Sequence, residues 1–150
     1  MADNIVNIAS PDAGEWLEAL ASLNEAVANS RPNSEATHLR TFYNLLQNAP
    51  PGTFSPAPMV KEKELEAMIS SGANEAAVLR TISPLMGYMI SRAPGINCET
   101  IASVWVPGAD KETTARNATV AGAIMSAASA ALYKTHIATA DGSMTKGTTH

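Results

Sequence analysis

"RAPGINCETIASVWVPGAD" occupies residues Arg92 to Asp110, and its reading decides the fold. It lies between two helical patterns and reads as one long loop, whose middle, Ile101–Val106, is a short strand or a helical turn. Long loops in compact domains are usually functional or mobile. With the stretch taken as a loop, everything on either side of it is helix, and the chain is all-α.

Upstream, helix D begins near Asn74 and runs to Arg92, with Val78, Ile82, Leu85, Met86, Met89 and Ile90 as its apolar positions. Pro84 kinks it or divides it at Ser83. Downstream, Asp110 caps helix E, which runs to about His136. Helix A follows Ser10, Pro11, Asp12 and Glu15, residues suited to a cap and a first turn. Its Trp16, Leu20, Leu23 and Val27 share one face. Helix B starts after Asn33 or Ser34, carries Leu39, Phe42, Tyr43 and Leu46, and stops at Ala49-Pro50-Pro51-Gly52. Helix C, "VKEKELEAMISSG", turns Leu65, Met68 and Ile69 inward and ends at Gly72. Ile5, Val6 and Ile8 suit a short N-terminal arm. The expected architecture is an antiparallel four-helix bundle with one extra short helix, a long loop and a disordered C-terminal tail. Residues 1–136 form the single helical domain, and 137–150 a flexible polar tail.

A chain of 150 residues is long enough to bury a core without metal or disulfide staples. Charged residues make up 16%, against the usual quarter. Either Ala, Ser, Thr and Asn replace charges on an ordinary surface, or a partner covers part of that surface. The net charge of −4 excludes a dominant basic nucleic-acid face. It leaves room for one local groove, with many copies sharing the work. Cys98 is the single cysteine, so an intrachain disulfide and a Cys-type zinc site are excluded, and cytosol is the natural compartment. The start lacks a secretory pattern. Val120–Tyr133 is too short, and too rich in Ala and Ser, to span a bilayer of about 20 apolar residues.

The sequence offers no phosphate loop and no nucleophile elbow. His38, His136 and His150 lack metal-ligand spacing. "KEKELE" (Lys61–Glu66) reads as a solvated helix start with local ion pairs. Neither an enzyme nor a cofactor or metal is expected.

Helix E is unusually thin. Ala118, Gly122, Ser126 and Ala130 sit four apart and make a smooth strip. Either the helix is the tightly packed centre of its own bundle, or the strip lets identical subunits approach closely. Arg92 and Arg116 bracket the loop from its two ends. Beside a helix N-terminus, such arginines suit phosphate. Otherwise each pairs with a local acid or points to water.

The order of "LRT" (Leu39–Thr41), "SPL" (Ser83–Leu85), Arg92 and "RNATVA" (Arg116–Ala121) resembles the coat proteins of rod-shaped plant RNA viruses, the tobamovirus-like group. The resemblance spans roughly residues 10–135. It implies a four-helix bundle that stacks into a helical polymer around single-stranded RNA, located in the virion and the host cytoplasm. The implied RNA contacts are Arg92 and Arg116, with Arg40 as a supporting contact or buried bridge, and Asn117 where the group tends to carry an acid. The alternative is a small cytosolic adaptor of bacterial or phage origin that binds a protein through Met86 and Met89.

Overall fold

The computed structural model describes residues 13–29, 32–54, 58–92 and 99–149. The arm residues Ile5, Val6 and Ile8, the cap residues Ser10, Pro11 and Asp12, and Arg31, Cys98 and His150 lie outside them. Among the described residues the chain forms α1 (Ala13–Ala28), a 3-10 turn (Pro32–Ser34), α2 (Glu35–Gln47), α3 (Glu62–Ser70) and α4 (Asn74–Ile82). These are followed by strands β1 (Gly87–Arg92), β2 (Thr100–Trp105) and β3 (Thr113–Asn117), and by a long last helix, α5 (Val120–Thr149).

The fold is therefore mixed, and the all-α expectation is corrected. Both strands pair antiparallel with β2, in the order β1-β2-β3. The sheet occupies the second half of expected helix D, the middle of the expected loop and the start of expected helix E. Helix D stops because a proline at 84 has no N–H and its ring crowds the preceding turn. The amides of Leu85 and Met86 bond the Ile82 carbonyl at 2.8 and 3.0 Å and close a turn, after which "GYMISR" extends as β1. Met86, Met89 and Ile90 fit a helical spacing, yet so short an apolar run fits a strand equally well. In β2, Thr100, Ala102 and Val104 are buried while Ile101, Ser103 and Trp105 are more exposed, the period of two of a sheet with one covered face.

The last helix starts ten residues later than expected, at Val120 rather than Asp110. The Thr119 side-chain oxygen accepts from the Gly122 amide at 3.0 Å, and Asn117 Oδ1 accepts from the Thr119 amide at 3.2 Å. An Asx turn thus ends β3, and a threonine cap opens the helix. At its other end α5 continues to Thr149, through the segment expected to be a disordered tail.

The expected apolar stripes of the early helices match the core. Trp16, Leu20, Leu23 and Val27 are buried on α1, and Leu39, Phe42, Tyr43 and Leu46 on α2. Helix α3 ends at Gly72, φ +82°, where the amides of Gly72 and Ala73 bond the carbonyls of Ile69 and Met68 at 3.0 and 2.9 Å. That double bond is the left-handed stop expected of the glycine.

Helix α5 is the axis of the molecule. Positions 120 to 129 are buried without a break, because α1, α2 and α4 pack on it from some sides and β2 and β3 from others. A helix enclosed all round has no polar face to offer. Alanine, glycine and serine keep it narrow, so its neighbours can close on it. Ile124, Met125 and Leu132 supply its bulk, each fully buried and contributing roughly 2 kcal/mol.

Candidate interaction surface

The sheet has one covered and one open face. Strand register assigns residues to each, since directly opposed residues project to the same side. Thr100, Ala102 and Val104 face α5. Ile101, Ser103 and Trp105 face away, with Ser91 and Arg116 opposite Ile101, Met89 and Thr114 opposite Ser103, and Gly87 opposite Trp105. The hydroxyls of Ser103 and Thr114 lie 2.8 Å apart on this face. Met89 is 60% exposed and Trp105 37%. Tyr88, opposite Val104 at the rim, is exposed too. Among the described residues of the open face, Arg116 carries the one charge. Edge strand β1 is solvent-exposed along nearly its whole length. No described strand pairs with its outer side or with that of β3.

The two loop arginines meet at one end of the sheet, but not as a pair. Arg92 stands in the row of Thr100 and Asn117, and Arg116 in the next row, with Ile101 and Ser91. Adjacent rows project to opposite faces, and β2 separates the two strands by two spacings, about 10 Å. The structure therefore gives them no common face on which to hold a single phosphate.

Arg40 is engaged elsewhere. Its Nε donates to Glu66 Oε1 at 2.7 Å and a terminal nitrogen donates to Oε2 at 3.1 Å. This two-pronged bridge is exposed, so the buried-bridge expectation is corrected. The bond to Arg40 lowers the Glu66 carboxyl from its ordinary range, and the bond to Glu66 raises the guanidinium. Arg80 pairs with Glu64 through one terminal nitrogen, and this bridge is exposed too. The carboxylates of "KEKELE" thus tie α3 to α2 and α4.

Asn117 has a structural role. Besides its Asx turn, its Nδ2 donates to the Val27 carbonyl at 3.4 Å, joining the β3–α5 corner to the end of α1. A side chain at Gly122 would overlap the Asn117 amide, which explains the glycine. The small-residue strip is divided accordingly. Ala118 is exposed ahead of the helix, Gly122 and Ser126 are buried inside this chain, and Ala130 is half-buried beside α1. Gly122 and Ser126 serve packing within the molecule. Beneath the corner, Glu35 accepts from Asn74 Nδ2 at 3.1 Å and from the Thr119 hydroxyl at 2.5 Å. An acid of α2 thus already occupies the positive end of α5.

Comparison with models of known families, with curated proteins and with solved structures finds no match. The resemblance to rod-shaped virus coat proteins accordingly stands on the residues quoted for it alone, and the four-helix bundle it implied is not the fold of this chain.

No group of three or more His, Cys, Asp or Glu among the described residues could hold a metal ion. No helix among them is long and apolar enough to cross a membrane. His38 is half-buried on α2. His136 tilts 59° against Trp16 at a ring separation of 4.8 Å, with Nε2 3.3 Å from the Thr53 hydroxyl. Of the two adaptor methionines, Met86 is core and Met89 is surface. The exposed face built by Trp105, Met89 and Ile101 was not read as a unit from the sequence. Its signal was the alternation in "TIASVW", which needed partner strands to become a face.

Proposed function

We propose that the protein is a structural subunit that assembles with copies of itself through its sheet. One observation carries this reading: among the described residues, the sheet has an open, apolar-centred face and two unpaired edges. Exposed edges are templates for further strands, and proteins that stay apart protect them with lysine, proline or a bulge. β1, "GYMISR", has neither lysine nor proline, its one charge is Arg92 at the strand's end, and its register with β2 is unbroken. Both outer strands run antiparallel to β2 and hence parallel to each other. Pairing β1 of one subunit with β3 of the next is a head-to-tail contact, and such contacts propagate into filaments when they do not close into a ring.

The finer form of the proposal is a viral coat subunit around single-stranded RNA. Extending the sheet edge to edge leaves its open face free, where Trp105 offers a ring for a base and Arg116 a charge for phosphate. One cation per subunit suits weak contacts multiplied along a polymer. Arg40 and Asn117 have no part in this scheme. Electron microscopy of purified protein with and without single-stranded RNA tests it. Filaments that require RNA, and that Arg116→Ala loses, support the coat form. Filaments indifferent to RNA support the structural subunit alone. Dispersed particles under every condition refute both. A second reading, the adaptor, is favoured by the exposed Met89, since methionine suits adaptable surfaces; it predicts monomers.

A further inference from the structure

We infer that Met89 is an oxidation site whose sulfoxide releases subunits from the sheet-edge contact; the release rests on the assembly proposed above. Met89 lies within edge strand β1, two residues from its start. Among the described methionines it stands apart. It is 60% exposed, whereas Met86 and Met125 are buried and Met59 and Met68 are half-buried. Strand register explains the difference. The same-face neighbours of Met89 along β1 are Gly87 and Ser91, and the residue opposite on β2 is Ser103. All three are too small to cover a thioether.

The reaction is that of hydrogen peroxide with a thioether. The sulfur lone pair attacks one peroxide oxygen, and an S–O bond forms as the O–O bond breaks. The proton on the transferred oxygen passes to the departing hydroxide, giving water. The sulfur loses two electrons, the peroxide gains two, and the protein keeps its net charge. The oxidant must reach the sulfur, so exposure sets the order in which the methionines react. The product is polar and accepts hydrogen bonds. The Ser103 and Thr114 hydroxyls share its row and lie 2.8 Å apart. One of their two protons bonds the pair, and the other is left for water or for a sulfoxide oxygen. In the edge-to-edge contact, β3 of the next subunit lies beside Met89. A thioether enters that contact as an apolar cross-strand neighbour. A sulfoxide must first give up water, which weakens the contact about tenfold.

Mild peroxide treatment, peptide mass mapping and sedimentation velocity test this on the parent and on Met89→Leu, which keeps Cys98 and every other methionine. In the parent, Met89 should gain oxygen ahead of Met59, Met68, Met86 and Met125. The oxidised parent should need about tenfold higher concentration to assemble, and methionine sulfoxide reductase with a thiol should restore it. Met89→Leu should assemble alike before and after peroxide. The inference is overturned if Met89 oxidises no faster than Met86 and Met125, if the oxidised parent assembles like the untreated one, or if peroxide also disperses Met89→Leu. An untreated parent that never assembles, with or without single-stranded RNA, refutes the assembly reading and the release with it, while the order of oxidation stands or falls on the mass map alone.

Discussion

Replacing Gly122 by alanine sets two effects of opposite sign against each other. Alanine is the better helix former by up to about 1 kcal/mol. Against this, the new Cβ would overlap the Asn117 amide, whose Oδ1 holds the Thr119 amide and whose Nδ2 holds the Val27 carbonyl. Displacing that side chain breaks two hydrogen bonds, each contributing about 1 kcal/mol, and forces a shift at a packed corner that costs about 1–3 kcal/mol. The overlap outweighs propensity, and Gly122→Ala should destabilise by about 2–4 kcal/mol. Urea unfolding followed by tryptophan fluorescence reads the change. The control is the same substitution in an Asn117→Ala background. There the obstacle is absent, and Gly122→Ala should be neutral or stabilising by up to about 1 kcal/mol. A Gly122→Ala protein more stable than the parent, or an equal loss in both backgrounds, would refute the assignment of Asn117 to this corner.

Thr119→Val removes the cap of α5 and the bond to Glu35, and should cost about 1–2 kcal/mol in the same assay. Trp16→Phe removes the indole bond to the Leu45 carbonyl, 2.8 Å long, and should cost about 1–3 kcal/mol; a neutral result would place that carbonyl in contact with water. Glu66→Gln should leave the urea midpoint at neutral pH nearly unchanged, because the Arg40 bridge is exposed. Its sign is fixed all the same. The Glu66 carboxyl is lowered in the folded state, so whatever the bridge contributes is present at neutral pH and lost as pH falls through the acidic carboxylate range. A larger gap between parent and variant at acidic than at neutral pH would contradict it.

The helices before Pro84 were legible because their stripes are local. Trp16 to Val27 and Leu39 to Leu46 repeat at helical spacing over several turns, and proline or glycine marks the ends. The sheet was not legible, because its strands are five or six residues long and gain meaning only when paired across long connections. Met86 to Ile90 satisfied a helical period by coincidence, and Thr113–Asn117 was absorbed into the helix that follows. "NAT" at Asn117–Thr119 was the missed clue, a turn residue and a cap just ahead of the alanine-rich run. The alanine-rich helix was legible as thin, and its central position settles Gly122 and Ser126 in favour of internal packing. The arginines were legible as neighbours of one loop. Their separation onto two faces depends on strand register, which is set by pairing between segments and not by the residues around either arginine.

The central claim is that copies of this chain join through the sheet. Sedimentation velocity of the parent and of Met89→Lys, with and without single-stranded RNA and from low to high micromolar concentration, tests it most directly. Met89 is exposed on edge strand β1, so lysine there leaves the core untouched while placing a protective charge on the edge. The account predicts that the parent sediments faster as concentration rises and that the variant, folded equally well, remains a monomer. A parent that is monomeric throughout, or a variant that assembles like the parent, would contradict it.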